Sequence, residues 1–237
     1  MKVVILAGGY GTRLSEETSV IPKPLVTIGG RPIIWHIMKI YSTQGYTDFI
    51  VCLGYKGEKI QEYFSSPQNK DPFWNVTLAD TGSNVMTGGR LKRIANYIDG
   101  DTFMMTYGDG VANIDIKKLL EFHKTHKKMA TLTAVKPPPR FGTLNILDNG
   151  EVTGFQEKKH HPWINGGFFV LSKDVINYIE DDSTTFEGPP IQKLIEKSDL
   201  YAYKHEGFWR CMDTLSDKKS LEEIWATGSA PWKIWKD

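Results

Sequence analysis

Near the amino terminus Gly8, Gly9 and Gly11 surround Tyr10 and lead into Thr12 and Arg13; further on, Lys23 stands between Pro22 and Pro24. Glycines let backbone N–H groups turn toward an anion, and arginine adds a planar, permanently charged fork suited to phosphate oxygens. The two prolines stiffen the backbone around Lys23, so its charge is presented from a rigid segment. A cradle of N–H groups followed by a rigidly held cation is chemistry directed at phosphorus. Polyanionic reactants also call for a hard, oxygen-liganded cation, and two carboxylates are placed to hold one. Asp109 lies between Gly108 and Gly110, and Asp213 lies in Trp209-Arg210-Cys211-Met212-Asp213-Thr214. Alone, Asp109 would read as an Asx turn and Asp213 as the cap of a helix starting near Leu215. Beside a phosphate loop, both are assigned to the metal.

A phosphate cradle needs a buried strand before it and a sheet to hold it. Val3 to Leu6 are apolar and mostly β-branched, as a central parallel strand should be. Two other glycine-loop chemistries fit poorly. The dinucleotide fingerprint lacks its third glycine, since Leu14 stands there, and the P-loop lacks its Gly-Lys-Ser/Thr end, since Thr12-Arg13 follow Gly11. Downstream, strand-like and helix-like segments alternate. Helices are expected over 33–44, 56–64, 91–97 and 115–127, and strands over 49–53, 75–79, 102–107, 130–135 and 200–204. Asp148-Asn149-Gly150 predicts a turn into an antiparallel strand over 151–156. Asn165-Gly166-Gly167 reads as a loop meeting a buried strand at Phe168. The pattern implies an α/β fold: a single Rossmann-like domain over 1–237, with a mixed, mostly parallel sheet flanked by helices and a small antiparallel element.

The chain has 237 residues, 40% of them hydrophobic, and a formal net charge of +1, which describes one domain with ample core. Its cations are scattered, and the densest cluster, Lys124 to Lys128, reads as a solvated helix end, so no nucleic-acid partner is expected. No stretch approaches the ~20 apolar residues of a membrane span, and the first apolar run is too short and glycine-broken for a signal peptide. A cytoplasmic protein with no membrane partner is therefore expected. Cys52 sits in an apolar run and reads as a buried free thiol rather than a disulfide or metal ligand. The aromatic end at Trp225, Trp232 and Trp235 suits a subunit contact and packing on its own domain equally well; a homo-oligomer is expected.

The string from Leu6 to Leu14, followed by Pro22-Lys23-Pro24, resembles the signature of the sugar-phosphate nucleotidyltransferases. That resemblance implies attack of a sugar 1-phosphate oxygen on the α-phosphorus of a nucleoside triphosphate, with pyrophosphate leaving and Mg²⁺ as cofactor. It implies catalytic roles for Arg13, Lys23 and Asp109, and metal ligation by Asp109 and Asp213. Nucleotide contacts are implied for Leu6, Gly8, Gly9, Gly11, Thr12, Arg13 and Lys23. Glu157 and Lys158 are similar to the family's sugar-phosphate element, and Gly142, Asn165 and Gly166 lie in segments that resemble its sugar-pocket loops. Residues 1–110 are then mainly nucleotide-binding, and 111–237 mainly sugar-phosphate-binding with C-terminal helices.

Further segments, among them Trp35-His36-Ile37-Met38, Thr87 to Arg93, Asn165 to Val170 and Ala230 to Lys233, resemble the branch that joins CTP to glucose 1-phosphate. The branch implies CDP-glucose and pyrophosphate as products, an early step toward CDP-linked dideoxysugars of bacterial surface polysaccharides such as the O-antigen of lipopolysaccharide, and a segment with Thr87, Gly88 and Arg90 near the base. This chain departs from the pattern in three places. The link between Phe64 and Trp74 is short, Ile21 replaces a common lysine, and no further acid follows Glu187. A thymidylyl- or uridylyltransferase and a non-catalytic nucleotide-sugar sensor stand as the alternatives.

Overall fold

A computed structural model describes residues 1–137, 143–156 and 162–236. Its strands are β1 (Lys2–Leu6), β2 (Thr27–Ile28), β3 (Arg31–Pro32), β4 (Asp48–Leu53), β5 (Asn75–Asp80), β6 (Thr102–Tyr107), β7 (Gly110–Ala112), β8 (Ala130–Val135), β9 (Thr143–Ile146), β10 (Val152–Gln156), β11 (Ile164–Ser172), β12 (Leu200–His205) and β13 (Trp209–Cys211). The α-helices are α1 (Ser15–Thr18), α2 (Ile33–Ser42), α3 (Gly57–Ser65), α4 (Thr87–Arg93), α5 (Ile116–His126), α6 (Pro189–Glu196) and α7 (Leu215–Ala226). Seven strands form the main sheet in the order β12-β8-β11-β6-β1-β4-β5. Only β11 runs against its neighbours β6 and β8; every other pairing in this sheet is parallel. The expected α/β architecture is present, and its antiparallel element is the β9–β10 hairpin.

The period of two along each strand divides the core between the faces of the sheet. Val3 and Ile5 of β1 face one side with Phe49 and Val51 of β4, packed with Ile33, Ile37 and Tyr41 of α2. Val4 and Leu6 face the other with Ile50 and Cys52, packed with Leu91 of α4 and Leu194 of α6. The aromatic end joins the first of these layers: Trp232 and Trp235 are buried, and Trp35 and Trp235 meet edge-on at 5.6 Å. Packing on its own domain therefore wins for Trp232 and Trp235. Cys52 is buried and free, and burial pushes its thiol up to about 12.

Two expectations need correction. The helix expected over 91–97 begins earlier, as α4 at Thr87, and ends in a 3-10 turn at Ala95–Tyr97. Gly88 and Gly89 look like loop residues in sequence, but their N–H groups donate to Thr184 O at 2.9 and 3.2 Å, and the close approach of that segment excludes a side chain. The loop expected at Asn165 to Gly167 is instead the first part of β11, with a break in its pairing to β8 between Asn165 and Phe169.

Candidate active site

In an open sheet of this kind ligands gather where strand order reverses, outside the carboxyl ends of the strands. Here β1 connects to β4 on one side while β6 pairs on the other, so the loops after β1 and β6 share that crevice. The loop after β1 is held from below by its carbonyl. Gly8 O accepts from Arg90 Nη2 at 2.9 Å and from Tyr55 N at 3.1 Å. No described acceptor takes the N–H groups of Gly9, Tyr10 and Gly11, which are left to an anion. Gly11 is the residue that must be glycine for conformational reasons: its φ is 65°, and a Cβ there would meet Thr18 Cγ2 at 2.9 Å.

Arg90 lines the cleft, but its guanidinium is turned into the wall. Nη1 lies within 2.9 Å of Leu53 O, 2.7 Å of Thr81 Oγ1 and 2.8 Å of Gly82 O. The side chain thus ties the ends of β1, β4 and β5 together and is an anchor of the cradle rather than a free phosphate clamp. Replacing Arg90 by alanine should remove four hydrogen bonds at once, each worth about 0.5–1.5 kcal/mol net, although Gly8 O and Leu53 O keep their main-chain donors Tyr55 N and Thr81 N. We expect a loss of about 2–4 kcal/mol in urea unfolding, not restored by lysine, whose single ammonium cannot reproduce the fork. A variant as stable as the parent would remove Arg90 from this role.

Asp109 and Asp213 are brought together by a pairing that the sequence pattern did not reveal. Strand β7 pairs antiparallel with β13, Gly110 opposite Cys211, and Met212 N donates to Asp109 O at 2.9 Å. Helix α7 is capped by Thr214, whose hydroxyl accepts from Asp217 N in a capping box, so capping falls to Thr214 and leaves the Asp213 carboxylate facing the crevice. Lys23 Nζ lies between them, donating to Asp109 Oδ2 and Asp213 Oδ1 at 2.6 Å each. Arg13 Nη1 reaches the other oxygen of Asp213 at 2.9 Å. Burial alone would lower the Lys23 pKa, but the charges and hydrogen bonds of the two carboxylates outweigh it and raise the value. Burial likewise opposes ionisation of Asp213, yet Lys23 and then Arg13 hold its carboxyl below the usual range. Both groups therefore stay charged at neutral pH.

Two cavities meet at this cluster. The larger, about 570 Å³, is lined by Leu6, Gly8, Gly9, Gly11, Thr12, Arg13, Lys23, Thr87 and Arg90 among others. The smaller, about 250 Å³, is lined by Asn165, Gly166, Trp209 and Asp213 among others, and Arg13, Tyr107 and Asp109 border both. Gly88 does not line the larger cavity; its N–H is used inside α4's packing against Thr184. Gly142, Glu157 and Lys158 lie outside the described residues. Sequence reasoning passed over Tyr107, Trp209 and Glu187 as site residues, although Tyr107 and Glu187 each stand beside a glycine and Trp209 follows Gly207 by two positions. Among the described residues, no set of three or more His, Cys, Asp or Glu side chains is grouped as a metal site, and no helix is long and apolar enough to cross a membrane.

An α/β sheet with an N–H cradle and a lysine between two carboxylates at its switch point suits transfer at a nucleotide phosphate. The chain belongs to the nucleotidyl transferase family, whose model matches residues 2–233. It is 54% identical to a glucose-1-phosphate cytidylyltransferase of Salmonella typhi, with all of both chains covered. It is 42% identical to a probable glucose-1-phosphate cytidylyltransferase of Bacillus subtilis, over 99% of this chain and 100% of that one. Among solved structures, HddC from Yersinia pseudotuberculosis complexed with GMP-PN aligns with a TM-score of 0.73 and 27% identity, covering 94% of this chain and 99% of that one. The Salmonella typhi alignment runs over 259 positions against 237 residues here, so at least 22 aligned positions have no counterpart in this chain.

Proposed function

We propose that this protein transfers a cytidylyl group from CTP to α-D-glucose 1-phosphate, giving CDP-glucose and pyrophosphate. The observation that carries the reading is the Lys23 ammonium held between Asp109 and Asp213 where two cavities meet. The full-length likeness to the Salmonella typhi enzyme supports the choice of CTP and glucose 1-phosphate.

The larger cavity takes the nucleotide, with its phosphates over the N–H groups of Gly9 to Gly11, and the smaller takes the sugar phosphate. Their common border then places the acceptor oxygen beside the α-phosphate, near Arg13 and Lys23. A 1-phosphate is already ionised near neutral pH, so no side chain need remove a proton. One bond forms between the sugar phosphate oxygen and the α-phosphorus, and the bond from that phosphorus to the bridging oxygen of pyrophosphate breaks. The catalytic load falls on positioning and on neutralising charge, which the exposed Arg13 and the largely buried Lys23 supply from two sides of the cleft.

Two carboxylates converging on one cation are the hard oxygen donors that Mg²⁺ prefers, so the residues present fit the metal. Asp109 and Asp213 would hold it, and when bound it screens the phosphate charges and orients them. Lys23, paired with both carboxylates, offsets their mutual repulsion. Gly142, Glu157 and Lys158 are part of the proposal as sugar-phosphate contacts, on the strength of resemblance. The proposal extends to a homo-oligomer in the cytoplasm. It also extends to supply of CDP-linked sugars for surface polysaccharide, again by resemblance.

The test is pyrophosphate release with Mg²⁺ from CTP, UTP, dTTP, ATP and GTP, each against glucose, mannose and galactose 1-phosphates. Release confined to CTP with glucose 1-phosphate is the expected result. Preference for another pair replaces the substrates and keeps the mechanism, whereas silence across all pairs overturns the enzyme reading.

A further inference from the structure

Tyr107 ends β6 on the wall common to both cavities, and its hydroxyl has a fixed polarity. It donates to Glu187 Oε1 and accepts from Asn165 Nδ2 at 3.1 Å. Glu187 is itself tied down, because its other oxygen accepts from Thr87 Oγ1 at 2.6 Å. Thr87 Oγ1 in turn accepts from Phe186 N at 2.9 Å. The amide of Asn165 has one orientation consistent with its neighbours: Gly167 N donates to Oδ1 at 2.9 Å, which leaves Nδ2 as the donating end.

The ring is confined as tightly as the hydroxyl. Gly167, at φ 79°, lies so close that a Cβ there would meet Tyr107 Cδ2 at 2.6 Å, and Phe169 meets the ring edge-on at 5.9 Å.

From this network we infer that Tyr107 determines sugar specificity in the smaller cavity, with Glu187 positioning it, and that Tyr107 and Asn165 together read one hydroxyl of a hexose 1-phosphate. The inference rests on the nucleotidyl-transfer reading above. Its logic is donor and acceptor counting. The single proton of Tyr107 is committed to Glu187, so toward the cavity its oxygen can only accept. Asn165 Nδ2 has a second N–H and can only donate. A group that must give one hydrogen bond and take another is a hydroxyl; a deoxy carbon would leave the remaining acceptor site of Tyr107 and the second N–H of Asn165 without a partner, and sites of that kind reject the analogue lacking the hydroxyl.

The experiment compares glucose 1-phosphate with its monodeoxy analogues in the wild type, Tyr107→Phe, Glu187→Gln and Asn165→Ala, with melting temperatures alongside. In the wild type we expect one analogue to lose at least about tenfold in kcat/KM. In Tyr107→Phe and Glu187→Gln that penalty should shrink to within about threefold, through a raised KM for glucose 1-phosphate, and the double variant should be no worse than Tyr107→Phe alone, as for groups acting in one chain. Variants that keep the wild-type ranking of analogues, or whose losses multiply in the double variant, overturn the inference. Equilibrium dialysis with glucose 1-phosphate separates the two possible failures. A wild type that neither binds nor turns over a hexose 1-phosphate sinks the transfer reading and this inference with it; a wild type that binds one while the variants bind it equally well sinks the inference alone.

Discussion

Replacing Lys23 by alanine should lower kcat by about two to three orders of magnitude, the loss expected when one preorganised donor to developing phosphate charge is removed. The backbone there is set by Pro22 and Pro24, so the 3-10 turn at Lys23–Leu25 should survive the change. What disappears is the only ammonium that reaches both Asp109 and Asp213 among the described residues. A second consequence follows from the same geometry. Without Lys23 the two carboxylates repel, with Arg13 left to pair with Asp213 alone, so millimolar Mg²⁺ should raise the melting temperature of the variant more than that of the wild type. Steady-state pyrophosphate release and thermal unfolding with and without Mg²⁺ check both parts. A variant with wild-type kcat would exclude Lys23 from the mechanism.

Asp109→Asn keeps the size of the side chain and one oxygen for Lys23 while removing the charge. The expected result is again a fall in kcat of about two orders of magnitude or more, together with a higher Mg²⁺ concentration for half-maximal rate. These two readouts distinguish metal ligation from simple support of Lys23. If Asp109 only held the lysine, the rate would fall without a change in the metal requirement. Folding should be retained, because Asp109's main-chain carbonyl, and not its side chain, anchors Met212 beside it.

Much of the architecture could be read from local pattern. Strands β6 and β8 run over the residues that their apolar content marks, and β10 begins after the Asp148-Asn149-Gly150 turn as the turn chemistry demands. The start of α4 escaped because Gly88 and Gly89 are poor helix formers in isolation; they are tolerated there since the backbone of residues 182–184 packs against them. Arg90 shows a similar limit. The family resemblance implied that its segment lies near the base, but burial among carbonyls gives the donors of Arg90 to the protein.

Local spacing was enough to read the chemical inventory: a glycine-rich cradle, a lysine between prolines, two carboxylates beside glycine-flanked or strand-ending segments, and the alternation that makes a mostly parallel sheet. These are short-range features, set by backbone freedom and by the periodicity of side chains. It took the folded chain to place Lys23 between Asp109 and Asp213, to set Arg90 beneath the loop, and to bring Glu187 to Thr87 and Tyr107. Those contacts join residues from about 80 to 190 positions apart, through the β7–β13 pairing and the packing of residues 182–187 on α4. Long-range register of that kind depends on the total fit of the core, which no local spacing encodes.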